Sequence, residues 1–363
     1  MKKLFYALVL GSFLSCTVQT TLPSFDLSDA SKFGQSHTLS VDSLFSKVEE
    51  IRLETKNAPL IGAIAALYES QDAYFVYDTK ALHVFGKDGR YIRQVAAKGR
   101  GPGEYQTISK LAIDVESGNL LTFDYYGQNF RRYDAEGKFI DAFNTMSQDS
   151  VLITSSFFMD HHTPIFYRDN NSLQMDLLTF DWNTKTTMPI STSERKMGEE
   201  IIIRSVFPFG SPECPFVYSY FSDTVFVVKN QHIKPSFIIA TGRYKVTFEE
   251  LVASEFLGPR TFMSDIVQGG DYIFVLYGGA NLAGERPIPC LGLYNMLSGA
   301  SYPQIKIWDA QYEYRSLTGN SRLFHGLDPN TLLVVQYPEK MIEAGAQVTE
   351  DDNPIIIKYW IKE

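Results

Sequence analysis

Residues 82–92 read LHVFGKDGRYI, and residues 130–140 repeat the pattern as FRRYDAEGKFI. In each copy an apolar strand ends on an aromatic residue, a polar turn closes with glycine, and a basic residue opens the next strand. Glycine suits this turn because it adopts positive φ without steric cost. Another short strand that ends on aspartate precedes each copy, at residues 74–78 and 120–124. The chain therefore contains a repeat of 48 residues made of short strands.

The repeat can be followed by the residue that ends its third strand. A period of about 40–50 residues, built from short strands, is typical of β-propeller blades. Successive end residues are 47 or 48 residues apart as far as the fourth, and the fifth follows after 66: Phe85, Tyr133, Phe180, Val228 and Tyr294. We expect the extra length in a glycine-rich loop at residues 278–287. Two strands, at residues 332–335 and 355–360, begin a sixth unit.

The two ends of the chain each leave a strand to be paired. The sixth unit is one strand short, and an alternating strand at residues 48–53 precedes the first unit. Propellers commonly close their ring by sharing one blade between the two termini, which removes open sheet edges. The sequence thus predicts an all-β fold, a six-bladed β-propeller with four-stranded antiparallel blades, closed by N- and C-terminal strands in one blade.

The N-terminus has the features of an export signal. Lys2 and Lys3 precede an apolar stretch at residues 4–14, which is too short to span a bilayer and matches the core of a signal peptide. Ser15 then precedes Cys16, as in the lipidation site of bacterial lipoproteins. An ordinary signal peptide with a chance cysteine is the alternative.

Three segments follow from this interpretation. Residues 1–15 are a lipoprotein signal peptide, residues 16–44 are a lipidated cysteine and a flexible Ser/Thr-rich tether, and residues 45–363 are the propeller domain. The mature protein is expected at the bacterial cell envelope, in contact with a membrane through its lipid anchor only.

The sharpest motif is KGRGPGEY at residues 98–105. Together with residues 53–55 and the repeat at residues 130–139, it resembles the six-bladed β-propeller lipoproteins of Bacteroidetes, which are themselves distantly similar to NHL-repeat propellers. The resemblance implies the fold and an envelope location. It implies no catalytic residue.

The glycine loop also predicts a ligand-binding face. Gly99, Gly101 and Gly103 demand tight turns and allow close backbone approach. In a four-stranded blade, the connection to the next blade lies at the same end as the connection between the second and third strands. The predicted ligand-binding residues at this end are Arg100, Glu104, Tyr105, Asp78, Lys80, Asp124, Tyr125 and Tyr126. The alternative is a structural clasp between two blades in which Arg100 pairs with Glu104.

Other residue types give weaker signals. Asp-Ser/Thr-apolar triplets make Ser43, Ser150 and Thr224 candidates for O-glycosylation. Cys214 and Cys290 are expected as buried free thiols rather than a disulfide. The adjacent His161 and His162 would face opposite sides of a strand, so we predict no metal site there, and no cofactor motif is present.

The net charge of −9 disfavours nucleic-acid binding, and the protein is expected to be a monomer. Two functions stay open. The first is a non-catalytic binding or scaffold module for an unidentified glycan, peptide or envelope protein. The second is an exported lyase or hydrolase acting on a glycan or lactone in the central channel. The sequence contains no catalytic motif, which favours binding.

Overall fold

The 48-residue repeat corresponds to the blades of a closed ring. The computed structural model describes residues 22–29, 36–95, 98–101, 103–114, 117–124, 126–144, 153–160, 163–168, 176–184, 186–191, 206–211, 214–219, 223–229, 232–247, 249–250, 258–280 and 286–362. Its strands form six four-stranded antiparallel blades, which confirms the predicted fold.

The elements before the first blade are β1 (Ser24–Asp26), β2 (His37–Ser40), the helical turn α1 (Val41–Leu44) and β3 (Phe45–Arg52). Blades 1 to 3 are listed from the innermost strand outwards. Blade 1 contains β4 (Ala66–Glu69), β5 (Ala73–Tyr77), β6 (Leu82–Gly86) and β7 (Tyr91–Val95). Blade 2 contains β8 (Lys110–Ile113), β9 (Leu120–Asp124), β10 (Asn129–Tyr133) and β11 (Phe139–Asn144). Blade 3 contains β12 (Ile153–Asp160), β13 (Thr163–Arg168), β14 (Asp176–Asp181) and β15 (Thr186–Ser191).

Blades 4 to 6 follow the same order. Blade 4 contains β16 (Val206–Ser211), β17 (Cys214–Ser219), β18 (Thr224–Lys229) and β19 (His232–Ala240). Blade 5 contains β20 (Phe262–Gly269), β21 (Tyr272–Gly279), β22 (Ile288–Asn295) and β23 (Ser301–Tyr302), and is followed by β24 (Ile305–Trp308). Blade 6 contains β25 (Leu323–His325), β26 (Thr331–Gln336), β27 (Ile355–Ile361) and the N-terminal β3. The helix α2 (Pro338–Glu343) lies between β26 and β27, and 3₁₀ turns occur at Gly242–Tyr244 and Glu313–Arg315.

The repeated turns behave as their sequence predicts. Gly89 and Gly137 adopt φ values of 81° and 83° in the turns between the third and fourth strands of blades 1 and 2. A β-carbon on Gly89 would lie 2.0 Å from the carbonyl oxygen of Arg52, so both the conformation and the space require glycine. All five residues used to trace the repeat are buried.

The core is divided between the blades. Among the described residues, six apolar clusters lie one at each junction between neighbouring blades. Each innermost strand contacts the innermost strand of the next blade, all the way round the ring. Because every blade packs both of its faces against its neighbours, the second strands of blades 1, 2 and 6 are buried throughout, and large aromatic residues fill the junctions.

The ring closes between blades 6 and 1, as predicted. β3 pairs antiparallel with β27, and Val48 lies opposite Tyr359. The Glu69 carboxylate is fully buried at this junction and accepts hydrogen bonds from Lys358 Nζ (2.6 Å), from Lys87 Nζ and from the Leu327 N–H (2.9 Å). Burial alone would raise the pKa of Glu69, but the two ammonium groups and the N–H lower it below its usual value.

The N-terminal segment corrects one expectation. The flexible tether predicted over residues 16–44 is wrong for residues 22–29 and 36–44, which pack on the outside of the ring. β1 pairs parallel with β19 at the edge of blade 4, and β2 pairs parallel with β24. The Phe25 ring is fully buried and lies against Gly292, where a β-carbon would approach it to 2.7 Å. Burial of this aromatic side chain holds the segment in place.

A second correction concerns the long interval between Val228 and Tyr294. Most of the extra length lies at residues 241–261, between blades 4 and 5, and only part of it lies between β21 and β22. Among the described residues, no helix is long and apolar enough to span a membrane.

Candidate functional site

One end of the propeller, which we call the loop face, carries the connections between blades and those between the second and third strands of each blade. Two hydrogen bonds show that the predicted residues meet there. The Tyr105 hydroxyl donates to the Lys80 carbonyl (3.3 Å), and the Thr107 hydroxyl donates to the Asp124 carboxylate (2.6 Å). The connection from blade 1 to blade 2 therefore lies against the turns that follow β5 and β9.

Asp78 and Asp124 occupy equivalent turns, and both accept hydrogen bonds from backbone N–H groups. Asp78 accepts hydrogen bonds from the backbone N–H groups of Lys80, Ala81 and Gly62 at 2.9–3.1 Å. Asp124 accepts from the N–H groups of Tyr126 and Gly127. Burial alone would raise the pKa of Asp78, but these N–H groups and the nearby His83 lower it below its usual value. Both carboxylates are buried and shape the backbone.

The glycine loop is built around Tyr105. Its ring is buried in the core between blades 1 and 2, and burial raises the pKa of its hydroxyl to about 12. The Glu104 carboxylate accepts a hydrogen bond from the Gly101 N–H (2.7 Å), and within the described residues Arg100 forms no ion pair with it. The clasp therefore exists, but it depends on Tyr105 and Glu104 instead of the expected Arg100–Glu104 pair.

The predicted site residues differ in exposure. Asp78, Asp124 and Tyr105 are no more than 3% exposed and form hydrogen bonds within the protein, and Glu104 is partly exposed; their ligand binding stays a prediction. Lys80, Arg100 and Tyr126 are exposed on the loop face, and for them ligand binding stays a prediction.

Other predicted residues have varied surroundings. Tyr125, Cys16, Ser150 and the pair His161–His162 lie outside the described residues. Ser43 is exposed in α1, and Thr224 opens β18. Cys290 is a buried free thiol, as expected, and burial raises its pKa. The side chain of Cys214 lies outside the described part of the chain.

A pocket of about 310 Å³ opens on the loop face above blade 6. One wall is formed by Lys306 on β24 and by Glu313 and Tyr314 of the 3₁₀ turn. The other wall is α2, through Lys340 and Glu343. The hydroxyl-bearing residues between the two walls are Ser316, Thr318 and Ser321. Both walls are loop-face connections, since one leads into blade 6 and the other joins its second and third strands.

Gln336, the last residue of β26, lines the pocket from below and is only 7% exposed. Its side-chain amide has no hydrogen-bond partner among the described residues, and its polar atoms reach the solvent of the pocket. A ligand that covers the amide must replace the hydrogen bonds of water, because a polar group left unpaired on burial costs free energy. The amide is therefore available to a ligand.

The charged residues of the pocket are also unpaired. Within the described part of the chain, none of Lys306, Glu313, Lys340 and Glu343 forms an ion pair, although each wall carries one residue of each sign. Lys306 Nζ lies 4.0 Å from the ring centroid of Trp308, a cation–π contact that leaves its N–H donors available.

The wall that carries Tyr314 is fixed from behind. The Tyr314 hydroxyl donates a hydrogen bond to Glu50 Oε1 (2.5 Å), and Arg315 Nε donates a second one to the same oxygen (2.9 Å). The Tyr359 hydroxyl donates to the Arg315 carbonyl (2.6 Å). Burial and the Glu50 carboxylate raise the pKa of Tyr314 to about 12, so the phenol stays protonated. The wall is thereby held against β3 and β27.

The central channel holds a second polar group. Asp265 on β20 is reached by water, yet desolvation by the surrounding protein raises its pKa to about 6. This combination is expected of a side chain that faces a narrow channel. The charges of Lys110 and Arg322 act in the opposite direction. Lys110 belongs to blade 2, directly across the ring from blade 5, so the two residues face each other over the axis.

His325 lies at the end of β25, the innermost strand of blade 6. Burial lowers its pKa to about 4, so the imidazole is neutral at physiological pH. The backbone carbonyl of Gln268 accepts its hydrogen bond.

Sequence reasoning found the loop face but missed the pocket. Gln336 ends the apolar strand TLLVVQ, and a single polar residue at a strand end carries little information. The one available signal was the long connection at residues 338–353, which exceeds the usual length of a turn between strands and is typical of functional loops.

The fold and the site geometry together define a six-bladed propeller with a polar pocket on its loop face. The chain belongs to the family described as Domain of unknown function (DUF4934), whose model matches residues 22–359. Searching the curated proteins gives no match.

Two solved structures share the fold. One is a Bacteroides fragilis protein that carries the name exported protein, with 17% identity and a TM-score of 0.64 over 94% of this chain and 100% of that one. The other is a DUF4221 family member from Bacteroides vulgatus, with 11% identity and a TM-score of 0.56 over 88% of this chain and 97% of that one.

Proposed function

We propose that the protein is a non-catalytic binding module of the bacterial cell envelope, and that its ligand occupies the loop-face pocket. The observation that carries this proposal is Gln336, a residue only 7% exposed whose side-chain amide lines a polar pocket and makes no hydrogen bond to a described residue. Ligand sites typically place a small number of polar groups where they fix the orientation of a bound molecule. The unpaired charges on both walls add further contacts.

The pocket is built for binding in a second respect. Its walls belong to loop-face connections, its base is the end of β26 in blade 6, and the Glu50 contacts fix the wall that carries Tyr314. Connections positioned by a rigid scaffold are the usual place of recognition sites. A larger partner would also reach the exposed Lys80, Arg100 and Tyr126 on the same face.

A thermal-shift screen with amino acids, short peptides and oligosaccharides tests the location of the site. We expect stabilising compounds to lose their effect in a Gln336→Leu variant and to keep it in an Asp265→Asn variant, which alters the channel. Compounds that stabilise all three proteins equally would place the site elsewhere and contradict the proposal.

The envelope location is proposed with a lipid anchor at Cys16. It is supported by the basic start, the apolar stretch and the Ser15–Cys16 pair, and the Bacteroides fragilis protein of the same fold carries the name exported. Metabolic labelling with a radioactive fatty acid should mark the wild-type protein. Label that persists in a Cys16→Ala variant would exclude this anchor. O-glycosylation at Ser43, Ser150 and Thr224 belongs to the same proposal, and loss of a glycan mass from a Ser43→Ala variant tests the first of these sites.

A second candidate function is favoured by Asp265. A carboxyl group whose pKa is raised to about 6 can exchange protons near neutral pH, as a general acid or base must. The corresponding activity is the cleavage of a glycan or lactone in the channel. Turnover that is lost in Asp265→Asn and retained in Gln336→Leu would favour this alternative over binding in the pocket.

A further inference from the structure

We propose that the loop-face pocket binds a short peptide with free termini, a zwitterion; this inference rests on the proposed function. The pocket presents three kinds of group to a ligand. They are the neutral Gln336 amide at the base, the ammonium groups of Lys306 and Lys340, and the carboxylates of Glu313 and Glu343.

The base of the pocket matches a peptide group. A primary amide carries two donors and an acceptor, and a peptide group offers an acceptor and a donor on opposite sides of its trans bond. A ligand peptide group can therefore form one hydrogen bond with the Gln336 amide, and a neighbouring polar group of the ligand can form the other. The burial of Gln336 makes this contact selective, because a ligand that leaves a buried polar group unpaired loses that hydrogen-bond energy.

The walls match a molecule that carries both charges. Lys340 and Glu343 lie three residues apart on α2, and Lys306 and Glu313 belong to the connection that leads into blade 6. An anion alone would pair with the lysines only, and a cation alone with the glutamates only. A neutral ligand would form no ion pair with these groups. A molecule that carries a carboxylate and an ammonium group can pair with both signs.

The pocket is also large enough for more than a single amino acid. Its volume of about 310 Å³ lies at the lower end of the range of small-molecule sites. The distance between opposite walls then separates the two termini of the ligand, with a peptide group between them above Gln336.

The experiment is a calorimetric titration of the full chain with three probes. They are L-alanyl-L-alanine, the same dipeptide capped as N-acetyl and N-methylamide, and the neutral disaccharide maltose. We expect the free dipeptide to bind, the capped one to bind at least about tenfold more weakly, and added salt to weaken the free dipeptide.

Two variants and one matched control locate the binding. Gln336→Leu and Glu343→Gln should each weaken the free dipeptide by about tenfold or more. Glu339→Gln changes an exposed residue of the same helix outside the pocket, and should leave affinity unchanged. If Gln336→Leu does not fold, as judged by circular dichroism, Glu343→Gln decides the outcome.

The results separate the two proposals. Binding of maltose that depends on Gln336, without binding of the dipeptide, would overturn the proposal of a zwitterionic ligand. The pocket would remain a binding site. Dipeptide binding that is the same in Gln336→Leu, Glu343→Gln and wild type would overturn the pocket as well. The absence of binding by all three probes would contradict the peptide proposal, and the thermal-shift screen then decides the proposed function.

Discussion

Two connections on the loop face have the same place in the repeat and opposite outcomes. Between blades 1 and 2, the glycine loop closes over a four-residue turn at residues 78–81, and Tyr105 fills the space. Between blades 5 and 6, the connection meets the far longer segment at residues 337–354, which carries α2, and a pocket remains. The sealed junction thus lies against a short connection between second and third strands, and the open junction lies against a long one.

The largest expected effect on stability comes from a substitution that opens the sealed junction. Tyr105→Ala removes a buried ring, so it should lower the free energy of unfolding by about 3–5 kcal/mol. Urea denaturation measures the loss. Tyr126→Ala is the control, since this ring is 86% exposed on the same face, and its variant should match the wild type. Equal stability of the two variants would mean that Tyr105 does not seal the junction.

Asp78 gives the next largest effect and adds a pH dependence. Asp78→Asn replaces a carboxylate oxygen with a donor that faces the Gly62 N–H, and should cost about 1–3 kcal/mol at pH 7. The pKa of Asp78 is lowered in the folded state, so its charge stabilises the fold above the unfolded pKa of about 3.9. This contribution is lost as the pH falls through the folded-state pKa. The difference between wild type and variant should therefore shrink in urea titrations towards pH 2.

The control for this pH series is Asp88→Asn, in an exposed turn of the same blade. It should cost less than the buried variant at pH 7. A gap between wild type and Asp78→Asn that stays constant with pH would show that the Asp78 charge does not contribute to stability.

Substitutions at the rim of the sealed junction should have smaller effects on the free energy of unfolding. Glu104→Ala loses the hydrogen bond to the Gly101 N–H and should cost about 0.5–1.5 kcal/mol. Arg100→Ala alters an exposed side chain and should change stability by no more than about 0.5 kcal/mol. If a double variant keeps its melting temperature but loses ligand affinity by about tenfold, these residues bind a ligand and are not a clasp.

The smallest effect belongs to the open junction. Gln336→Leu removes a pocket amide that makes no hydrogen bond to a described residue, and should change the free energy of unfolding by no more than about 0.5 kcal/mol. Gln106→Leu, at an exposed position, is the control and should be neutral. A large destabilisation by Gln336→Leu would show that the amide serves the fold, and would remove the main support for a binding site.

The sequence predicted the ring because propeller blades are encoded locally. The turn glycines, the buried residues at the ends of third strands, and the two strands left without partners are all visible in short stretches. The N-terminal segment was misjudged because its Ser/Thr-rich composition hides one decisive residue, Phe25, whose partner Gly292 is distant in sequence. The pocket likewise combines residues from separate stretches of the chain. The pKa of Asp265 depends in part on Lys110, which belongs to the opposite blade.

With the lipid anchor proposed at Cys16, the packing of residues 22–29 limits the distance between the propeller and a membrane. Cys16 precedes the first residue of β1 by eight residues, and a fully extended chain of that length reaches about 26–29 Å. The segment between the proposed lipid at Cys16 and β1 is therefore short, and it ends at the outer edge of blade 4, on the side wall of the ring. The side wall would then rest near the bilayer, while the loop face opens parallel to the membrane surface, accessible to small molecules that diffuse along it.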